Sequence, residues 1–345
     1  GWGFASALVR DEALDQRRIR QAFGMLLLLN GGLAAAQFAV APLAAGFFHQ
    51  PLVADLLPVQ ALFYLANPFI ALGHALLSRR MDFRRLGQVA LLGASASAIA
   101  AVACALAGLG VWTLVIAPGV HWLVQGTGFA LAARLWIRPS FSFRGAGVIA
   151  RYGGAMILVQ FCWFVQSQAD VFLGGRLLDA HTLGLYTTAL FLTQILAAKF
   201  IPPLNEVAFA AYSRLQGEDG AVGAAFAKSA RLIMAVVLPF YFGLAATAEP
   251  LVATVLGSKW LAVAPLVPIL AAAMPLLTLQ ILFAPATNAL GRPRLAVRAG
   301  LVGAVVMPAA FLIGIEWGPA GLAWGWLAGM GILLAATLAI SLPAL

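Results

Sequence analysis

The sequence predicts an all-α polytopic membrane protein with about ten crossings, arranged as two pseudo-repeated helical bundles. Three observations carry this. The chain is 63% hydrophobic and only 10% charged, where a soluble domain carries roughly 25%. Stretches without any Asp, Glu, Lys or Arg run over 86–133, 260–291 and 317–345, each long enough for the roughly 20 apolar residues of a crossing. The positive charges are grouped: Arg10, Arg17, Arg18 and Arg20; Arg79, Arg80, Arg84 and Arg85; Arg134, Arg138, Arg144 and Arg151; Arg214, Lys228 and Arg231; Arg292, Arg294 and Arg298. These 18 of the 21 basic residues fall in every second connection, which is the positive-inside pattern of a multi-pass chain.

The crossings are expected at 21–48, 54–78, 86–108, 110–134, 150–173, 183–209, 228–248, 261–289, 295–315 and 319–343. The first begins at the basic segment Arg17–Arg20 and so runs outward from the cytoplasm. The others alternate. Barrel strands would alternate over about 10 residues, which these runs do not. Outer connections are short, as at Gly108–Gly110 and Trp317–Pro319. The longest inner one, 136–149, is rich in Ser, Gly and Arg. It reads as a linker between an N-terminal lobe (1–135) and a C-terminal lobe (150–345).

The lobes read as repeats. Ala22-Phe23 parallels Ala225-Phe226. The helix from Asn67-Pro68 to Arg79-Arg80 parallels the one from Phe283 to Arg292 and Arg294. Gly110-Val-Trp112 parallels Gly318-Pro-Ala. The offsets are 203, 213 and 208 residues, and matching helices run in the same direction, as in transporters with parallel repeats. On that pattern the second lobe has six helices. The first has four plus residues 1–9 as the tail of a fifth, and is expected to be incomplete.

The net charge of +9 lies in short loops on one side, where it orients helices and meets anionic lipid rather than nucleic acid. Cys104 and Cys162 lie in apolar runs, so neither a disulfide nor a metal site is expected. No phosphate loop, zinc-protease motif or nucleophile elbow occurs; no catalytic residue, metal or cofactor is assigned.

The segments Asp170-Val-Phe-Leu-Gly174-Gly175, Leu183-Gly184-Leu-Tyr186 and Phe209-Ala-Ala-Tyr-Ser213-Arg214-Leu215-Gln216, with Arg80-Met-Asp82-Phe83-Arg84 and Lys259-Trp260, resemble the polysaccharide (O-antigen and exopolysaccharide) flippases of the multidrug/oligosaccharidyl-lipid/polysaccharide exporter superfamily. Ala210 and Ala211 stand where that family commonly has a proline. The resemblance implies two facing six-helix bundles around a central cavity in a bacterial inner membrane. It implies flipping of undecaprenyl-diphosphate-linked repeat units from the cytoplasmic to the outer leaflet by alternating access, beside a polysaccharide polymerase and chain-length machinery. A drug/cation antiporter of the same superfamily and a lipid II flippase are the alternatives. A membrane glycosyltransferase would need larger outer loops.

Charged residues inside a membrane are costly and commonly face a cavity. Lys199 and Glu206 fall within one expected crossing, seven residues apart and near Pro202-Pro203. They are either cargo-binding or a buried ion pair, or Lys199 is a lipid-snorkelling side chain. Asp170 follows the polar row Gln160, Gln166 and Gln168 and shares a face with Gln166; it is either a proton, cation or sugar contact, or an interfacial charge at the Gly174-Gly175 turn. Asn67 is either a cavity residue or an interhelical hydrogen bond. Trp163 either stacks on sugar or anchors the helix. Arg79, Arg80, Arg292 and Arg294 end equivalent helices and are the expected cytoplasmic gate.

Overall fold

A computed structural model describes residues 16–135, 137–141, 147–215 and 220–345, with side chains for all of these except 18 and 147–159. Among the described residues the regular structure is helical: α1 (Gln16–Phe48), α2 (Leu52–Ala61), α3 (Asn67–Arg79), α4 (Phe83–Leu106), α5 (Thr113–Ala132), α6 (Gly147–Leu177), α7 (Ala180–Arg214), α8 (Ala221–Ala246), α9 (Ala248–Val255), α10 (Leu266–Ala289), α11 (Pro293–Gly314) and α12 (Gly318–Ser341). Among the described residues, eight stretches are long and apolar enough to cross a membrane, and the last of them, Pro293–Ala344, folds as the two helices α11 and α12. The chain is a multi-span membrane protein.

The second expected crossing is not one continuous helix. A tight 3₁₀ turn at Leu62–Leu65 separates α2 from α3. Pro58 and Pro68 explain the break, since neither brings an N–H to the carbonyl four residues earlier. Short helix α9 was not expected either. It follows the C-terminal end of α8 and precedes a second 3₁₀ turn, Ser258–Val263, and Pro265 then opens α10.

Contacts divide the chain into two compact units, Gly1–Ile157 and Leu158–Leu345. Of the segment 136–149 expected to join two lobes, residues 136 and 142–146 lie outside the described ones, as do Arg10 and Arg144. In the first unit, α4 and α5 form a tight hairpin. Ser97 Oγ donates to the Ala117 carbonyl at 2.9 Å, and Gly93 admits the Gln125 side chain, which a Cβ there would strike at 2.7 Å. The chain beyond α5 returns to the start of α1, with Ser140 N donating to Arg20 O at 2.9 Å and Arg20 Nε to Arg138 O at 3.0 Å.

The second unit is built around α10. This helix is apolar on all sides, as a fully enclosed helix must be, and it packs on α7, α8 and α12. Helices α11 and α12 touch backbone to backbone: a Cβ on Gly314 would strike the Gly321 carbonyl and the reverse. Such close approach through small residues is how helices associate in lipid. Asp179 caps α7, accepting from the N–H groups of His181 and Thr182, both at 3.0 Å. Bonds from the Thr182 side chain and N–H, then from His181, hold its carboxyl below the usual carboxylate range.

The repeat is visible inside the two units. After α3, Arg80 N donates to Leu76 O, Met81 N to Ser78 O and Asp82 N to Leu77 O. After α10, Leu290 N donates to Ala286 O, Gly291 N to Asn288 O and Arg292 N to Thr287 O. The same helix-ending hydrogen-bond pattern thus recurs 210 residues along. Its left-handed position is held by Met81 (φ 55°) in one unit and Gly291 (φ 70°) in the other. Arg80 and Arg292 lie within these paired turns.

Candidate binding cavity in the C-terminal unit

Within the second unit, α6, α7, α10, α11 and α12 line an open cavity of about 590 Å³. Each helix contributes a stripe at helical spacing. Helix α6 gives Gln160, Trp163, Gln166 and Ser167; α7 gives Gln194, Ala197, Ala198 and Ile201; α10 gives Leu277, Gln280, Ile281, Ala284 and Thr287. Gly300, on α11, and Trp326, Thr337 and Ser341, on α12, complete the wall. Five glutamines face this space (160, 166, 168, 194 and 280), and among the described lining residues none is Asp, Glu, Lys, Arg or His.

Gln166 is 2% exposed. Its carboxamide oxygen occupies the place where a side chain on Gly303 would begin, so glycine at 303 is what admits it. One turn further along α6 lies Asp170, at 0% exposure. Its Oδ2 accepts from Tyr186 OH at 2.6 Å and from Trp326 Nε1 at 2.8 Å, and its Oδ1 from Val171 N at 2.8 Å. Asp170 therefore ties α6 to α7 and α12 and fixes the Trp326 ring, whose edge walls the cavity. It does not cap the Gly174-Gly175 turn; Gly174 instead packs against Leu183, which a Cβ would strike at 2.8 Å.

The other expected site residues are scattered. Lys199 and Glu206 are both exposed on α7; neither lines the cavity, and no ion pair joins them among the described residues. The lining stripe of α7 passes through 197, 198, 201 and 202, one position away from Lys199. Asn67 belongs to the first unit, where its Nδ2 donates to Asn30 Oδ1 at 2.9 Å while Asn30 Nδ2 donates to Leu26 O at 2.8 Å. It is an interhelical bond between α1 and α3. Arg79 ends α3, Arg80 caps it, Arg292 caps the start of α11 and Arg294 sits in its first turn, all exposed. Trp163 and Gln166 are the two expected site residues that line the cavity. Gln194, Gln280, Tyr186 and Trp326 were not anticipated. Among the described residues, no group of His, Cys, Asp and Glu could hold a metal.

Residues 1–265 match the family model described as polysaccharide biosynthesis protein. The chain belongs to this family. It is 26% identical over 292 residues to the succinoglycan biosynthesis transport protein ExoT of Rhizobium meliloti (strain 1021), covering 85% of this chain and 59% of that protein. It is 23% identical to the teichuronic acid biosynthesis protein TuaB of Bacillus subtilis (strain 168), over 78% of this chain and 56% of that one. With the lipopolysaccharide biosynthesis protein WzxC of Escherichia coli (strain K12) the figures are 20%, 78% and 55%. The chain thus spans under two thirds of the length of these relatives. Among solved structures, the lipid II flippase MurJ in an inward closed conformation matches with a TM-score of 0.76 at 13% identity, covering 97% of this chain and 76% of that one. An inward-facing multidrug resistance MATE family transporter matches at 0.76 and 15%, covering 99% and 85%. At such identities these two show the fold alone.

Proposed function

We propose that the chain acts in a transporter that flips undecaprenyl-diphosphate-linked oligosaccharide repeat units from the cytoplasmic to the outer leaflet of a bacterial inner membrane, without chemical catalysis. The observation that carries this is the cavity of about 590 Å³ with five glutamines and Trp163 on its walls, set inside a membrane bundle of a polysaccharide biosynthesis family. Carboxamides offer both donors and acceptors, which suits sugar hydroxyls, and an indole face stacks on a sugar ring.

Two bundles, residues 1–135 and 150–345 joined through 136–149, rock to open the path to either leaflet. Lys199, exposed beside the lining stripe of α7, is the cation offered to the diphosphate. Glu206, two turns further along, competes for it. Arg79, Arg80, Arg292 and Arg294, in the paired turns, receive phosphate at the cytoplasmic mouth, where a guanidinium matches it bidentately. The polymerase and chain-length machinery take the unit on the far side. A drug/cation antiporter would want an acid in the cavity; among the described lining residues there is none, and Asp170 is committed to Tyr186 and Trp326.

The test is deletion of the gene in its host, followed by mass spectrometry of lipid-linked saccharides sorted by leaflet accessibility. Build-up of repeat units on the cytoplasmic leaflet, relieved by the wild-type gene, is expected. Unchanged surface polysaccharide and no build-up would refute the reading, and accumulation of lipid II in their place would reassign the cargo.

A further inference from the structure

We infer that the cavity of the C-terminal unit takes an uncharged, hydroxyl-rich sugar of the cargo and admits neither its diphosphate nor a uronic acid. This deepens the flippase reading and rests on it.

Gln280 Oε1 is buried and no donor reaches it among the described residues. Thr287 Oγ1 gives its proton to Phe283 O at 3.0 Å, and Thr337 Oγ1 gives its proton to Leu333 O at 2.8 Å. Each hydroxyl, with its proton committed, has only lone pairs left to offer. Two prolines add to this. Pro202, in α7, brings no N–H to the carbonyl of Ala198, and Pro285, in α10, brings none to that of Ile281; Ala198 and Ile281 are both lining residues. The walls are therefore rich in acceptors and lack fixed positive charge among their described residues. The amide N–H groups of the glutamines are the donors.

A ligand matched to such walls must bring many O–H donors and some acceptors. A neutral sugar does so. A diphosphate or a carboxylate brings acceptors and negative charge, meets acceptors, and finds no cation to offset its loss of water. The trapped charge, not the size of the cavity, is what excludes them.

The experiment uses the full chain in lipid nanodiscs. Three probes are offered: cellobiose, cellobiouronic acid and inorganic pyrophosphate. Binding is read by saturation-transfer NMR and by quenching of tryptophan fluorescence. The expected result is binding of cellobiose alone, weakened about three- to tenfold in Gln280→Leu and in Gln166→Leu, the loss of one neutral hydrogen bond. In Gln194→Lys, which places a cation on the half-buried rim, cellobiouronic acid should bind where it did not before. If either leucine variant fails to fold, Gln194→Lys still decides. Binding of pyrophosphate or cellobiouronic acid to the wild type in competition with cellobiose overturns the inference. So does cellobiose binding untouched by the variants, or no cellobiose binding at tens of millimolar. The host deletion separates the two levels. A trapped lipid-linked unit made wholly of acidic sugars sinks this inference and leaves the flippase standing. Selective cellobiose binding with no trapped unit sinks the flippase and leaves the cavity a neutral-sugar site.

Discussion

Replacing Asp170 by Ala tests whether this acid is a fastener of the second unit. The carboxylate is fully enclosed and accepts from Tyr186 at 2.6 Å and Trp326 at 2.8 Å. Removing it strands two buried donors, Tyr186 O–H and Trp326 Nε1–H. Each stranded donor costs about 1–3 kcal/mol, so the variant should lose about 2–6 kcal/mol. For a chain of this size that is a fall in Tm of roughly 4–12 °C, readable by thermal unfolding in detergent. The discriminating measurement is the second step. Tyr186→Phe alone should destabilise, because it removes one bond. Added to Asp170→Ala it should instead restore about 1–3 kcal/mol, because it deletes a donor that no longer has a partner. A double variant that falls by the full sum of the two single losses would show that these hydrogen bonds are not what holds α6 to α7 and α12. Asp170→Asn keeps one oxygen acceptor and should lie between wild type and Asp170→Ala.

Other substitutions test separate parts of the structure. Gly303→Ala places a Cβ where the Gln166 carboxamide sits; transport should fall with little change in Tm, as measured by flipping in the complemented host. Gly314→Ala forces α11 off the Gly321 carbonyl and should cost about 1–3 kcal/mol in unfolding experiments, the range for overpacking. Met81, 71% exposed at a φ of 55°, occupies the position that Gly291 fills in the other unit. Met81→Gly should raise stability by about 1 kcal/mol in thermal unfolding, since a non-glycine residue there carries a left-handed penalty of about 1–2 kcal/mol. Lys199→Gln should slow flipping while leaving cellobiose binding in nanodiscs unchanged, because this side chain is outside the cavity wall.

The sequence made the crossings legible because the signal for them is local. A run of apolar residues between arginine clusters needs no partner to be recognised, and α4, α5, α11 and α12 lie close to where such runs placed them. The break between α2 and α3 was also written locally, in Pro58 and Pro68, but the apolar run across Leu62–Leu65 concealed it. The site was read less well, and the reason is physical. Charge is the conspicuous feature in an apolar helix, so Lys199 and Glu206 drew attention. The chain instead turns the neighbouring stripe of α7 inward, and which of two adjacent stripes faces the cavity depends on packing against α10. Gln194 and Gln280 carry no charge and lie 86 residues apart; only the fold makes them neighbours. The Asp170–Trp326 bond spans 156 residues. Its partner is likewise invisible until α12 is in place.

On the flippase reading proposed above, that difference bears on how such a bundle handles a lipid-linked saccharide. Long exposed side chains such as Lys199 retain access to water and can follow a phosphate as it moves, at little cost to the fold. Buried neutral amides are different. They hold a fixed geometry only if something locks the helices that carry them, and they exact a desolvation penalty unless a hydroxyl-bearing ligand satisfies them. Asp170 supplies the lock: it commits its own charge to Tyr186 and Trp326 and so leaves the cavity wall uncharged. Trp326→Phe should expose the consequence. With its indole donor gone, Asp170 loses one of its two side-chain partners and its charge is felt more strongly in the cavity, so the wall should bind a cationic amino sugar such as glucosamine more tightly than the wild type does. If glucosamine binding in nanodiscs is the same in both proteins, Asp170 does not shape the chemistry of the cavity.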